Sequence, residues 1–164
     1  MAKLSNSEFV WAILRISVGL IFLWAFFDKT LGLGYATKPD KAWVLGNSPT
    51  YGYLTNGTKG PLKSIFVSMA GNPVVDWLFM MGLLGVGLSM TLGIGVTIGG
   101  YSGMVMMILM WISAFPPTNH PFIDDHIIYG MLLIGLTTVK SGHWYGLGKW
   151  WESQKFVKKN RWLV

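Results

Sequence analysis

Apolar residues in this chain gather into long unbroken runs and do not alternate with polar ones. Residues 9–27, 74–92 and 96–115 are each apolar over about 20 positions, and 127–139 forms a shorter fourth run that its flanks extend. At roughly 1.5 Å per helical residue, a run of that length matches the ~30 Å hydrocarbon core of a bilayer. A backbone facing lipid must satisfy its own N–H and C=O groups, which leaves helices as the economical solution. The pattern therefore predicts an all-α integral membrane protein: one four-transmembrane-helix bundle over residues 1–164, with spans near 8–28, 73–92, 96–115 and 124–140. The first run is too long for a signal peptide, carries Arg15 inside it and ends in Phe27-Asp28-Lys29 without a small-residue cleavage pattern, so it reads as the first span.

The segments between the runs have patterns of their own. Within 61–70, Leu62, Ile65, Phe66 and Met69 recur at i, i+3, i+4 and i+7, with Pro61 at the start and Gly71 at the stop. This predicts a short helix lying flat on the bilayer surface. Upstream, Tyr35, Trp43, Tyr51 and Tyr53 give the first loop the aromatic content of a membrane interface or of a lid over an apolar ligand. Asn56-Gly57-Thr58 fits a glycosylation sequon. The second and third runs meet in the uncharged turn Leu92-Gly93-Ile94-Gly95-Val96, and Gly95, Gly99 and Gly103 then recur every fourth residue, with Gly82 and Gly85 on the facing helix. Small residues at that spacing let helix backbones touch; no strand precedes them, so they are not a dinucleotide fingerprint. From 149 to 164, Trp150, Trp151, Phe156 and Val157 are interleaved with Lys149, Lys155, Lys158 and Lys159, a basic amphipathic tail for a membrane surface.

Composition agrees with a membrane protein: 52% of residues are hydrophobic, 12% are charged, and mean hydropathy is +0.46. The net charge of +6 sits in loops beside the spans, which points to lipid headgroups and not to nucleic acid. Four spans put both termini on one face, with Lys3, Lys140, Lys149, Lys155, Lys158, Lys159 and Arg161; the other face has Lys29, Lys38, Lys41, Lys59 and Lys63. Seven against five places both termini in the cytoplasm of a prokaryote, with the chain in the plasma membrane. The chain has no cysteine, which removes disulfides, thiolate zinc and iron–sulfur clusters, so redox chemistry would run through a bound organic molecule or a partner.

Three groups of residues could carry chemistry. Arg15 lies about two turns into the first span, where a charge costs roughly 2.5–3.5 kcal/mol at mid-bilayer. It either snorkels to the headgroups, helped by Glu8, or points inward to bind an anionic or carbonyl-bearing ligand such as a quinone head. On the fourth span His126, Tyr129, Gly130, Leu133, Thr137 and Lys140 fall within about 60° of one another at 100° per residue. This polar stripe suits either helix-to-helix hydrogen bonding or, through Tyr129 and Thr137, a quinone. Ahead of it, His120, Asp124, Asp125 and His126 crowd one turn, with Asp28 and Asp76 at the same bilayer level. Asp125 and His126 suit proton transfer, and histidine with carboxylate is also a metal-ligand set, while Asp124 suits a helix cap. A b-type haem is not expected, because His120 and His126 share one end and His143 lies at the other.

The order of features resembles the DoxX/DoxD family, above all the DoxD small subunits of thiosulfate:quinone oxidoreductase. The matching stretches are Leu14-Arg15-Ile16-Ser17-Val18-Gly19 with Asp28-Lys29, Asn72-Pro73-Val74-Val75-Asp76-Trp77, Pro121-Phe122-Ile123-Asp124-Asp125-His126 with Tyr129-Gly130, and Trp144-Tyr145-Gly146-Leu147-Gly148-Lys149-Trp150-Trp151. The resemblance runs through nearly the whole chain. It implies a haem-free four-helix protein that works with a second subunit and passes electrons from thiosulfate to membrane quinone; no catalytic residues carry over. Two readings follow: a quinone-reducing membrane subunit with its pocket at Arg15, Tyr129, Thr137, Asp125 and His126, or a non-catalytic subunit whose glycine faces and aromatic loops dock onto a larger respiratory or other membrane complex. Inverted repeats and broken spans, the marks of a transporter, are not evident.

Overall fold

A computed structural model describes residues 4–164; Lys3, counted above among the terminal-face charges, lies outside the described residues. Helix α1 is Asn6–Leu31, α2 Tyr51–Asn56, α3 Lys63–Ser68, α4 Pro73–Leu92, α5 Val96–Ser113, α6 Asp125–Thr138, α7 Gly148–Ser153 and α8 Lys155–Lys159, and there is no strand among the described residues. Three helices, α1, α4 and α5, are long and apolar enough to cross a membrane, the pattern of a multi-pass membrane protein. Their outward faces expose Leu20, Ile21, Trp24, Met81, Leu88 and Ile98, as a lipid-facing surface does.

Local chemistry sets the helix ends. At the start of α1 the Ser5 hydroxyl accepts the Glu8 N–H at 3.3 Å while the Glu8 carboxylate accepts the Ser5 N–H at 2.7 Å, so the helix begins three residues before the apolar run. Asn72 accepts the Val74 N–H at 2.9 Å and Pro73 follows it to open α4, and Gly93 closes that helix with φ 73°. Helix α5 stops at Ser113, short of Phe115, because Pro116 and Pro117 follow. Helix α6 has 14 residues, about 21 Å at 1.5 Å per residue, and ends where Lys140 turns left-handed with φ 52°.

The helices pack in the order α1, α4, α5, α6, with α1 also touching α6, around a core of Val18, Phe22, Met80, Leu83, Val86, Met90, Met107, Leu133 and Leu136. The glycines do allow close approach, but not all at the expected places. A Cβ on Gly103 would stand 2.8 Å from Leu133 and 3.1 Å from Val86, and Gly99 lies against Ser89, whereas Gly85 and Gly95 face open space. A further close crossing, between α1 and α4, uses Gly19 against Thr91 and Gly87 against Leu23, which a four-residue repeat within one helix pair does not reveal.

The loop between α1 and α4 is folded. Asp28 accepts the backbone N–H groups of Tyr35 at 3.2 Å and Ala36 at 3.0 Å. Asp76 accepts the Ser48 hydroxyl at 2.8 Å and the Thr50 hydroxyl at 2.5 Å. At the far side the Lys59 N–H bonds the Ser113 carbonyl at 2.8 Å. The helix expected over 61–70 is the six-residue α3, and α2 has no matching sequence signal because Gly52 and Thr55 make its sequence a poor helix former.

Gly87→Ala is expected to destabilise the protein by about 1–3 kcal/mol, since its Cβ would stand 2.8 Å from the Leu23 side chain and 2.9 Å from the Leu23 backbone nitrogen. Thermal unfolding in detergent should then fall by roughly 2–12 °C. Gly85→Ala, with open space around it, should leave the midpoint unchanged or higher.

Candidate functional site

The residues singled out from the sequence fall into separate places. Arg15 is fully buried at the end of the bundle that carries both termini. Its Nη1 donates to the carbonyls of Met90 and, at 3.1 Å, Thr91; its Nη2 donates to those of Trp144 and Tyr145, both at 3.0 Å. It neither snorkels nor lacks a partner: the last turn of α4 and the chain after α6 supply four acceptors, and only Nε is unpartnered. Sequence reasoning looked for a carboxylate or ligand and overlooked backbone carbonyls, which a helix C-terminus always leaves free.

Along α6 the expected stripe is inward only in its middle. Gly130, Leu133 and Thr137 are buried, Tyr129 and His126 are half-buried, and Asp125 and Lys140 are exposed. Thr137 donates to the Leu133 carbonyl at 2.9 Å and packs against Gly100 of α5. Asp124 caps α6, accepting the His126 N–H at 3.0 Å and the Ile127 N–H at 3.3 Å, and its second oxygen meets the His126 Nδ1 at 2.8 Å. Burial pushes the Asp124 carboxyl up, but the hydrogen bonds from the His126 ring and the two backbone N–H groups outweigh it and hold it below the usual carboxylate range. From Asp125 to Thr137 the helix rises about 18 Å, and Arg15 lies at the Thr137 end with its donors taken by carbonyls, so these residues do not converge on one ligand.

A different site does converge. Between α4 and α5, toward the loop end, lies a cavity of about 650 Å³. The two helices touch near their turn, where Gly99 meets Ser89 and Gly103 meets Val86, and farther out Leu78 and Phe79 stand across from Val105 and Leu109 as its walls. The folded loop roofs it with Leu54 of α2, Phe66 of α3 and Met69. The apolar lining is interrupted by Lys29, Thr50, Tyr53, Tyr101, Ser102 and Ser113, and two of these groups stand out. One is Lys29, at the end of α1, whose Nζ stands 6.0 Å from the Phe79 ring centroid and makes no ion pair with any described residue. The other is Tyr53, whose hydroxyl lies 2.7 Å from the Ser113 Oγ, which in turn donates to the Met110 carbonyl at 2.7 Å. The Tyr53 hydroxyl also lies 3.4 Å from the Met110 carbonyl, so it can donate to either Ser113 or Met110 while keeping a lone pair for a ligand hydroxyl; rotated, it donates to a ligand carbonyl.

None of Arg15, Asp125, His126, Tyr129 and Thr137 lines this cavity. Among its polar groups, Lys29 reads in the sequence as one of several loop charges, and Ser113 as the tail of a span. Only the aromatic loop, with Tyr53 in it, hinted at a lid. Comparison with family models, with curated proteins and with solved structures found no match to this chain.

Arg15→Leu is expected to cost at least about 3 kcal/mol, since it strands four carbonyls in a buried place, and Arg15→Lys should recover only part because one ammonium cannot reach them as a fork; unfolding in detergent measures both. The Asp124 cap has a pH signature. Its folded pKa is depressed, so its stabilisation is present above the unfolded value of about 3.9 and is lost as pH falls through the lower folded value. Amide exchange at His126 and Ile127 should accelerate selectively, relative to the α6 interior, in that acid window, and Asp124→Ala should abolish the pH dependence.

Proposed function

We propose that this chain is the membrane subunit of a quinone-linked oxidoreductase, of the thiosulfate:quinone type that its resemblance to the DoxX/DoxD family implies, and that the quinone head binds in the cavity under the loop. The observation that carries this reading is the apolar cavity with Lys29 and the Tyr53–Ser113 pair in its lining. Its volume falls in the range of small-molecule sites, about 300–1,000 Å³. A para-quinone head presents two oxygens, for which the lining offers a cation and a hydroxyl pair. Lys29 donates to one oxygen, and Tyr53, backed by Ser113, exchanges roles with the second as it passes between carbonyl and hydroxyl. The apolar walls of Leu78, Phe79, Val105 and Leu109 exclude water and accept the tail, which enters sideways from the hydrocarbon. With no cysteine in the chain, electrons come from a partner subunit.

In this reading α6 is the fourth span: it shares the core through Leu133 and Leu136 and is short because the chain folds back at Lys140. Helix α3 lies at the headgroup level with Ile65 and Val67 outward. The termini face the cytoplasm of a prokaryotic plasma membrane, with Lys149, Lys155, Lys158, Lys159 and Arg161 on that side. A non-catalytic accessory subunit is the second reading. Gly99, Gly100 and Gly103 are already spent on contacts within the chain, so docking would fall to exposed loop residues such as Tyr35, Val44 and Leu45.

A photoreactive quinone analogue should label the 75–82 and 101–113 segments. Lys29→Ala should weaken quinone binding about 10- to 100-fold, the loss of one charged hydrogen bond, and Tyr53→Phe should weaken it less, with both variants unfolding like the parent. Labelling at Tyr129 and Thr137 with Lys29→Ala unaffected would move the site to α6; absence of any labelling would leave the accessory reading.

A further inference from the structure

The chain after α6 forms a compact plug on the terminal end of the bundle. It comprises a 3-10 turn at Ser141–His143, then α7 and α8, and a last turn at Arg161–Leu163. Val157 and Leu163 are buried inside it, and the Trp151 indole N–H closes it on the Leu163 carbonyl at 3.1 Å. Two attachments seat the plug: the Leu147 N–H bonds the Leu92 carbonyl at 2.9 Å, and the Trp144 and Tyr145 carbonyls bond Arg15.

Its charges are one-sided. Glu152 is the only carboxylate side chain after His126, and it is engaged by His143 at 3.0 Å and Lys140 at 3.5 Å. Glu8, at the start of α1, is turned onto Ser5. Lys149, Lys155, Lys158, Lys159 and Arg161 remain exposed and make no ion pair with any described residue. Beside them Trp150, Phe156 and Trp162 are 55%, 64% and 66% exposed. Cations alone would suit any polyanion. Cations interleaved with outward tryptophan and phenylalanine, at the end of a bundle of membrane-length helices, suit a headgroup layer with acyl chains beneath it.

We propose that the plug binds anionic phospholipid headgroups of the adjoining leaflet, and that this binding holds the Arg15 clamp closed, because the clamp's Trp144 and Tyr145 carbonyls belong to the plug. The proposal is independent of the quinone reading. Lipid that binds the folded plug and not the unfolded chain raises stability by mass action.

The test uses the full chain in a neutral detergent, titrated with phosphatidylglycerol or phosphatidylcholine, with thermal unfolding and native mass spectrometry as readouts. Phosphatidylglycerol should raise the midpoint by about 5–10 °C at saturation and remain as adducts, whereas phosphatidylcholine should do neither. The triple variant Lys155→Gln, Lys158→Gln, Lys159→Gln removes only exposed charges and should weaken phosphatidylglycerol binding roughly 100-fold, about fivefold per charge. Equal shifts with the two lipids overturn the proposal, as does a triple variant that keeps the full shift. A shift produced equally by heparin, a soluble polyanion, overturns it in favour of an acidic macromolecular partner.

Discussion

One buried cation holds the terminal end of this protein together. The Arg15 guanidinium is shut away from both water and lipid, where an uncompensated charge is expensive. Its compensation is entirely backbone: Met90 and Thr91 lie in the last turn of α4, where carbonyls lack intrahelical partners and the helix dipole is negative, and Trp144 and Tyr145 lie in the segment that follows α6. A planar fork of donors bridges two chain segments about 50 residues apart in sequence, which a point-charge ammonium could not do. Through that bridge, and through the Leu147–Leu92 hydrogen bond beside it, the C-terminal plug is seated on the end of α4.

The opposite end is held by the reverse chemistry. Asp28 and Asp76 sit in the terminal turns of α1 and α4 and gather donors from the intervening loop, namely the N–H groups of Tyr35 and Ala36 and the hydroxyls of Ser48 and Thr50. The loop is thereby stapled at two points above the helix ends while α4 and α5 stand apart beneath it. One end of the molecule is closed by a cation among carbonyls, and the other is roofed by a loop hung on carboxylates, with the cavity under the roof.

The spans are legible in the sequence because run length alone encodes them: α1, α4 and α5 fall where unbroken apolar stretches put them, and the Asp124 cap that starts α6 is a local signal. What stayed hidden depends on long-range contact. Arg15 announced that something must satisfy it, yet carbonyls are present at every residue and so leave no pattern. Asp28 and Asp76 looked like members of a titratable cluster with His120 and His126, but each is committed to the loop. The cavity has no sequence signature because it is made by what two helices fail to fill, and Lys29 becomes notable only when its neighbours prove to be Phe79 and the space between α4 and α5.

At the deep end of that space Gly82 has no side chain, and the tip of Met106 from α5 lies against it in its stead. A methionine side chain is unbranched, turns about three bonds and settles into irregular volumes with little cost. The floor of the cavity is therefore a plug on a swivel. Its depth is set by the rotamer of Met106, so the space between α4 and α5 can change shape while the backbone around it stays where it is.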